Sequence, residues 1–340
     1  SYCTGVYVSK NPLGPYTCMP GAPFAIKAGG FIKGAGHGHP FKDRYGNDWY
    51  AATIVVASKE HYERRIGIFP AFYKDGYAHA ITEYMDFPFI LPDKKVNFSQ
   101  HNISAGMNLL SYNKQMKASS SLGVHQAKMA TDEDIRTWWS AASGKRGEWL
   151  QMDLSKPMEL SALQISFSDE GFKTYRHDKN VPIYQYIVEG SLNGTDWQLL
   201  ADRSQNTKDQ IYELIVLDKK IKTQFVRIKN TKDFATGYFS IADIRLFGNA
   251  KGKVPKQVSN FIVERNKDRR RIAFTWDKQP SAEGYVIRWG ASPEHIDNAI
   301  MMYDNQAELG FFDRDITYYM TIEAFNESGK SKSSTPIKIN

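Results

Sequence analysis

The chain is written in short runs that alternate apolar and polar residues with a period of two. GVYVS, DWYAATIVV, ALQISF, YQYIVEGS, FVRIKN, IAFTW, GYVIRW and YYMTIEAF recur along its 340 residues. Successive side chains of an extended strand point to opposite faces, so this spacing suits half-buried β-strands. Turn signals such as YGND, LNGTD and NESGK separate the runs. Apolar residues spaced for an amphipathic helix of real length are missing. The expectation is an all-β protein built from sandwiches or propeller blades rather than βαβ units.

The length calls for two or three cores rather than one. A first break follows FPFILPDKKVNF, near 95–105, and a second falls in the small-residue and proline linker NAKGKVPKQ at 249–257. The expected segments are 1–100, 105–248 and 255–340, with no internal repeat among them. Hydrophobic content of 41% and aromatic content of 13% suffice to fill them. No apolar run reaches the roughly 18 residues of a membrane span. The opening SYCTGVYVSK reads as a strand, not as a signal peptide.

The net charge is +7, with basic residues scattered except for Arg269-Arg270-Arg271. Aromatics do not interleave with a basic stripe, which argues against a nucleic-acid partner. A solvated basic surface and an attraction to acidic polymers, charged polysaccharides included, both remain as readings. The two cysteines, Cys3 and Cys18, flank the turn signal NPLGP. A hairpin disulfide and two free buried thiols are both compatible with that spacing.

The middle segment carries the most specific motifs: ATDEDIRTWW (130–139), GEWLQMDL (147–154) and FSIADIRLFG (239–248). With EGSLNGTDWQLL and FVRIKN, they make this segment resemble the coagulation factor 5/8 type C, or discoidin, family. Ala130, Asp132, Thr137, Trp139, Trp149, Asp153, Arg245, Phe247 and Gly248 fit its pattern, and Glu133 stands where the family prefers Gly. DEDIRT packs carboxylates, carbonyls and a hydroxyl closely, and Ca²⁺ takes about six to eight hard oxygen ligands. The resemblance implies a structural calcium ion held by the carbonyls of Ala130 and Asp134, by Asp132 and Thr137, and by Ala242 and Asp243. Asp243 occupies a position where the family often has Glu. An acidic turn without metal is the plainer alternative. Trp139 and Trp149 fall at core positions of the family. Sugar contacts in this fold come from variable loops at one end, which here carry His125, Phe172, Tyr175, Arg176, Phe234 and Tyr238. Aromatic rings there would stack on sugar C–H faces while polar groups bind hydroxyls; aromatics in loops also simply plug sandwich ends.

The last segment, with Trp276, GYVIRW and YYMTIEAFNESG, resembles a fibronectin type III domain, which implies a spacer. The first segment, through GHGHPFKDRYGNDWYAATIV and ERRIGIFPAFYKDGY, resembles the closing part of a glycoside hydrolase family 43-like five-bladed β-propeller. That resemblance implies an active-site wall at His37, with His39, Arg64 and Arg65 as further candidates. Arg binds carboxylates bidentately and would pair with a catalytic one. For a zinc reading of His37 and His39, neither His61 nor His79 supplies a persuasive third ligand.

No catalytic residue is assigned within the chain. Inversion needs two carboxylates about 6.5–9.5 Å apart, and the acidic residues of the first segment lie in turns or flank the arginines. The resemblance therefore implies catalytic carboxylates upstream of Ser1, on a missing propeller part or a second chain. Two functions follow as expectations. One is the C-terminal portion of a secreted, periplasmic or cell-surface polysaccharide-degrading glycoside hydrolase, inactive by itself. The other is a non-catalytic glycan-binding or adhesion protein.

Overall fold

The structure is a computed structural model that describes residues 3–56, 64–172 and 182–340. Strands dominate it, and the described helical elements are two single-turn 3₁₀ segments, Thr82–Met85 and Ala127–Ala130. No described helix is long and apolar enough to cross a membrane. The chain forms two compact units: residues 1–54, 65–106 and 252–340 make the first, and residues 55–64 and 107–251 the second. The outer two sequence segments thus share one unit.

Within the first unit, the strands Lys33–Lys42, Asp48–Val55, Arg64–Lys74 and Tyr77–Ala80 lie side by side in chain order. The alternation in DWYAATIV is the reason: Tyr50, Ala52 and Ile54 share one face and are buried, and Trp49 is buried on the other face against Phe72, Phe98 and Ile103. Asp43 shapes the turn that starts this run. It accepts from Tyr45 N at 2.8 Å, Asn47 N at 2.9 Å and Trp49 Nε1 at 3.1 Å. Two further sheets come from the C-terminal residues. One joins Ile262–Arg265, Ile272–Thr275 and Gln306–Leu309. The other centres on Gly284–Gly290 and Tyr318–Asn326, with Asn298–Met302 at one side.

Ile26, from near the N-terminus, sits in the same core as Phe274, Trp276, Trp289 and Tyr318. Buried hydrogen bonds tie the two parts together. Tyr318 Oη donates to the Ala22 carbonyl at 2.6 Å, Asn298 Nδ2 to Pro23 O at 3.0 Å, and Ala299 N to Thr82 Oγ1 at 3.0 Å. Charges add to these. Glu83 accepts from Arg288 at 2.8 Å and from Lys330, Arg288 also reaches Glu323 at 2.9 Å, and Lys27 pairs with Asp86 at 2.5 Å. Burial pushes the Glu83 carboxyl up, but the Arg288 and Lys330 charges outweigh it and hold Glu83 down at about 2.

The cysteines do not meet across a hairpin. Tyr7–Val8 pairs with Thr17–Cys18, so Tyr7 lies opposite Cys18, whereas Cys3 pairs with Ile26. Both thiols are free.

The second unit is one antiparallel sheet system around two 19-residue strands, Trp149–Phe167 and Tyr212–Asn230. In WLQMDL, Leu150, Met152 and Leu154 are fully buried and the residues between them are not. Trp139 is also fully buried, whereas Trp149 is only half-buried, because it begins the alternating run on the opposite face from Leu150. Ser240–Asn249 runs through the centre of the unit and is buried along nearly its whole length.

Candidate functional site

Two neighbourhoods of the second unit and one face of the first hold the residues singled out by the sequence. The acidic loop begins at the 3₁₀ turn Ala127–Ala130. Asp132 Oδ1 accepts from Asp134 N at 3.0 Å, and its Oδ2 accepts from Thr137 Oγ1 at 2.7 Å. Thr137 Oγ1 also lies 2.9 Å from the Asp134 carbonyl. The Asp134 side chain points away to Arg136, at 2.5 Å. Three oxygen-bearing groups therefore converge: the Asp132 carboxylate, the Thr137 hydroxyl and the Asp134 carbonyl. Burial raises the Asp132 carboxyl above its ordinary value, against the hydrogen bonds from Thr137 and Asp134.

Asp243 reaches the same neighbourhood from the strand Ser240–Asn249. Ser166 pairs with Asp243 and Phe167 with Ile241, so Ala242 is the extra residue of a bulge. Asp243 is 1% exposed, and neither carboxylate oxygen has a hydrogen-bond partner among the described residues. Burial first, and then the Glu133 charge, push its carboxyl well above the ordinary aspartate value. The Arg245 charge and the nearby Glu133 N–H offset this only in part. Arg245 serves Asp243 only in part, because it already pairs with Glu133 at 2.7 Å, both buried. A hard cation bound here would supply the remaining counter-charge. Glu133 has φ +60°, the left-handed region where Gly is the easy choice. Glu133 thus takes a backbone that suits Gly and supplies a carboxylate that pairs with Arg245.

The second neighbourhood lies where the loops near 125, 144, 170 and 235 meet. His125 closes a tight turn with Leu122 and stacks on Trp138, with ring centroids 4.4 Å apart and 18° between planes. Trp138 Nε1 donates to Glu170 Oε2 at 3.0 Å, and His125 Nε2 lies 3.7 Å from the same oxygen. Tyr238 N donates to the Glu170 carbonyl at 2.9 Å. Phe172 and Phe234 meet edge to face at 5.2 Å, and Tyr184 packs against both. Gly237 has φ +81°, and a Cβ there would meet the Phe172 ring at 2.5 Å, so only glycine lets the two loops close. Asn230 is fully buried and locks the loops from below, donating to Lys145 O at 2.8 Å and Lys232 O at 2.7 Å. Arg146 is exposed, and its N–H donates to Asp233 Oδ1 at 2.8 Å.

The structure therefore brings together His125, Phe172, Phe234 and Tyr238, all half-buried. Tyr175 and Arg176 lie outside the described residues. Trp138 and Glu170 join the cluster although sequence reasoning did not single them out. The doubled tryptophan of DIRTWW is a signal that could have found Trp138, since Trp139 is fully buried and its neighbour faces the other way, but it carries no sign of Glu170.

In the first unit, His37 and His39 are exposed and line an open concavity with Ala51, Thr53 and Ile66. His37 has φ +48°, so the run is not regularly extended and simple two-residue alternation does not relate the two rings. Arg64 is exposed and Arg65 half-buried at the start of their strand. His61 lies outside the described residues, and His79 sits elsewhere in this unit, beside Asp297.

Solved structures with a similar fold include chitosan-binding module 1 from a chitosanase/glucanase of Paenibacillus sp. IK-5. That module shares 21% identity, covers 42% of this chain and 99% of its own, and superposes with a TM-score of 0.35. The family 32 CBM of C. perfringens NanJ, solved in complex with galactose, gives 19% identity, 42% and 98% coverage and 0.34. The Clostridium perfringens module CpGH89CBM32-4, in complex with GlcNAc-alpha-1,4-galactose, gives 21% identity, 44% and 99% coverage and 0.35. No curated protein matches the chain. Residues 115–244, which carry both the acidic loop and the aromatic loop end, match the F5/8 type C domain family.

Proposed function

We propose that the second unit is a glycan-binding module, and that the aromatic loop end is where it grips the sugar. The observation that carries this reading is the His125–Trp138–Glu170 assembly beside Phe172, Phe234 and Tyr238. Half-buried rings offer flat apolar faces to sugar C–H groups, while an imidazole and a carboxylate offer directional partners to hydroxyls. The geometry serves binding rather than bond cleavage. The Glu170 carboxylate beside these rings is already engaged by the Trp138 indole N–H, which fixes it as a directional acceptor.

A calcium ion at Asp132, Thr137, Asp243 and the carbonyls of Ala130, Asp134 and Ala242 would hold the loops without taking part in chemistry. Its support is the orphaned Asp243 carboxylate and the bulge at Ala242.

The larger setting we propose is a polysaccharide-degrading glycoside hydrolase acting outside the cytoplasm. We read the four-stranded sheet of the first unit as one propeller blade, a reading that its strands lying in chain order support. We read the C-terminal three-stranded and five-stranded sheets as a fibronectin type III spacer, a reading their strand counts support. His37 and His39 would face the propeller axis in that setting.

Affinity electrophoresis through gels containing single polysaccharides tests the binding reading. Retardation by at least one polysaccharide, diminished after calcium chelation, is the expected result. Unretarded migration through all of a broad set of neutral and acidic polysaccharides would count against it.

A further inference from the structure

We propose that His79, His295 and Asp297 form a transition-metal site of the zinc class, separate from the acidic loop and from the aromatic loop end. One ligand atom from each of the three lies within 4.8 Å of the others. Two imidazoles and one carboxylate make a donor set suited to Zn²⁺ and its neighbours rather than to Ca²⁺, which prefers oxygen alone. Three protein ligands leave a fourth tetrahedral position for water.

The fold holds these groups in place before any ion arrives. His79 lies on the strand Tyr77–Ala80, and its ring stacks on Phe72 with centroids 4.7 Å apart and 5° between planes. Its Nδ1 is 2.8 Å from Asp297 Oδ2. Asp297 is fixed through its backbone, since its carbonyl accepts from Thr82 N at 3.1 Å. His295 closes the tight turn that starts at Ser292, with its N–H donating to Ser292 O at 3.1 Å. That turn folds back tightly over Gly290, where a Cβ would meet the His295 carbonyl at 1.8 Å. The His295 and His79 rings then stand 4.7 Å apart.

A hydrogen-bonded His–Asp pair alone would account for His79 and Asp297. It does not account for His295, whose Nε2 is buried with no hydrogen-bond partner among the described residues. A bound ion would staple the strand Tyr77–Ala80 to the turn 292–297, joining residues more than two hundred positions apart in the first unit.

The test uses the tag-free full chain, stripped with EDTA and titrated with ZnCl₂ by calorimetry. A single site is expected, with Ca²⁺ failing to compete. His295→Ala and Asp297→Asn should each weaken binding at least about tenfold, whereas the double variant His37→Ala/His39→Ala should bind like the parent. Co²⁺ in place of Zn²⁺ should give the intense visible bands of a tetrahedral site, and these should be lost in Asp297→Asn. Should one variant fail to fold, the other and the cobalt spectrum decide the matter. Absence of zinc binding, unchanged affinity in the folded variants, or loss of binding in the His37/His39 variant would overturn the assignment.

Discussion

Glu83 is the charged link between the two ends of the chain, and Glu83→Gln removes its charge while keeping its shape. Arg288 at 2.8 Å and Lys330 hold this carboxyl at about 2 against an ordinary 4.5. A difference of about 2.5 units, at about 1.36 kcal/mol each, corresponds to about 3 kcal/mol. The Glu83 side chain is 25% exposed and that of Lys330 30%, so solvent screening lowers this to about 2–3 kcal/mol. Arg288 keeps Glu323, so the variant should fold. For a unit of this size the loss corresponds to a fall of about 5–10 °C in melting temperature.

Scanning calorimetry of the whole chain reads that shift, and hydrogen exchange shows where it acts. Protection should drop together in residues 65–106 and 252–340 and stay unchanged in residues 107–251. Because Glu83 titrates below its ordinary value when folded, its contribution is complete above about pH 5 and is lost as pH falls toward 2. The acid limb of the parent should be correspondingly flatter in the variant. A melting change under about 1 °C, or destabilisation confined to one end of the chain, would refute the reasoning.

Further outcomes follow from the second unit and the thiols. Calcium at about 100 times its dissociation constant should stabilise the second unit by about 2.7 kcal/mol, and Asp243→Asn should abolish that increment in the melting curve. Because burial raises the Asp243 carboxyl, the metal-free unit should lose stability as pH climbs above about 4, which urea denaturation across a pH series checks. Glu133→Gly relieves a left-handed backbone but removes the carboxylate 2.7 Å from buried Arg245, so urea denaturation should show a net loss of about 2–4 kcal/mol. Cys3, exposed, should react quickly with a thiol reagent in the native protein, and half-buried Cys18 slowly.

Much of the fold was legible in the chain because burial follows alternation directly. WLQMDL buries the residues that a two-residue period assigns to one face, and DWYAATIV does the same with Tyr50, Ala52 and Ile54 while Trp49 is buried on its other face. The closeness of Asp132, Asp134 and Thr137 was legible for a simpler reason, since they lie within a few positions of one another in the chain. What depends on long-range meeting was not legible. Trp138 and Glu170 stand 32 positions apart, and His79 and Asp297 stand 218 apart. No local pattern announces either encounter. His79 was weighed only as a partner for His37 and His39, whereas the strand Tyr77–Ala80 delivers it to a turn near the C-terminus. The sharing of one core by Ile26 and Trp289 was hidden in the same way, because each reads locally as an ordinary strand residue.

The most direct test of the glycan-binding account is titration of the calcium-loaded chain, parent and Trp138→Ala, with oligosaccharides from the polysaccharide that retards it. Trp138 is half-buried and borders the loop end, so its truncation should leave the melting temperature nearly unchanged. The account expects saturable binding by the parent and a loss of about tenfold or more in the variant, about 1.4 kcal/mol. Equal affinity in parent and variant would place the sugar elsewhere and contradict the assignment of this loop end.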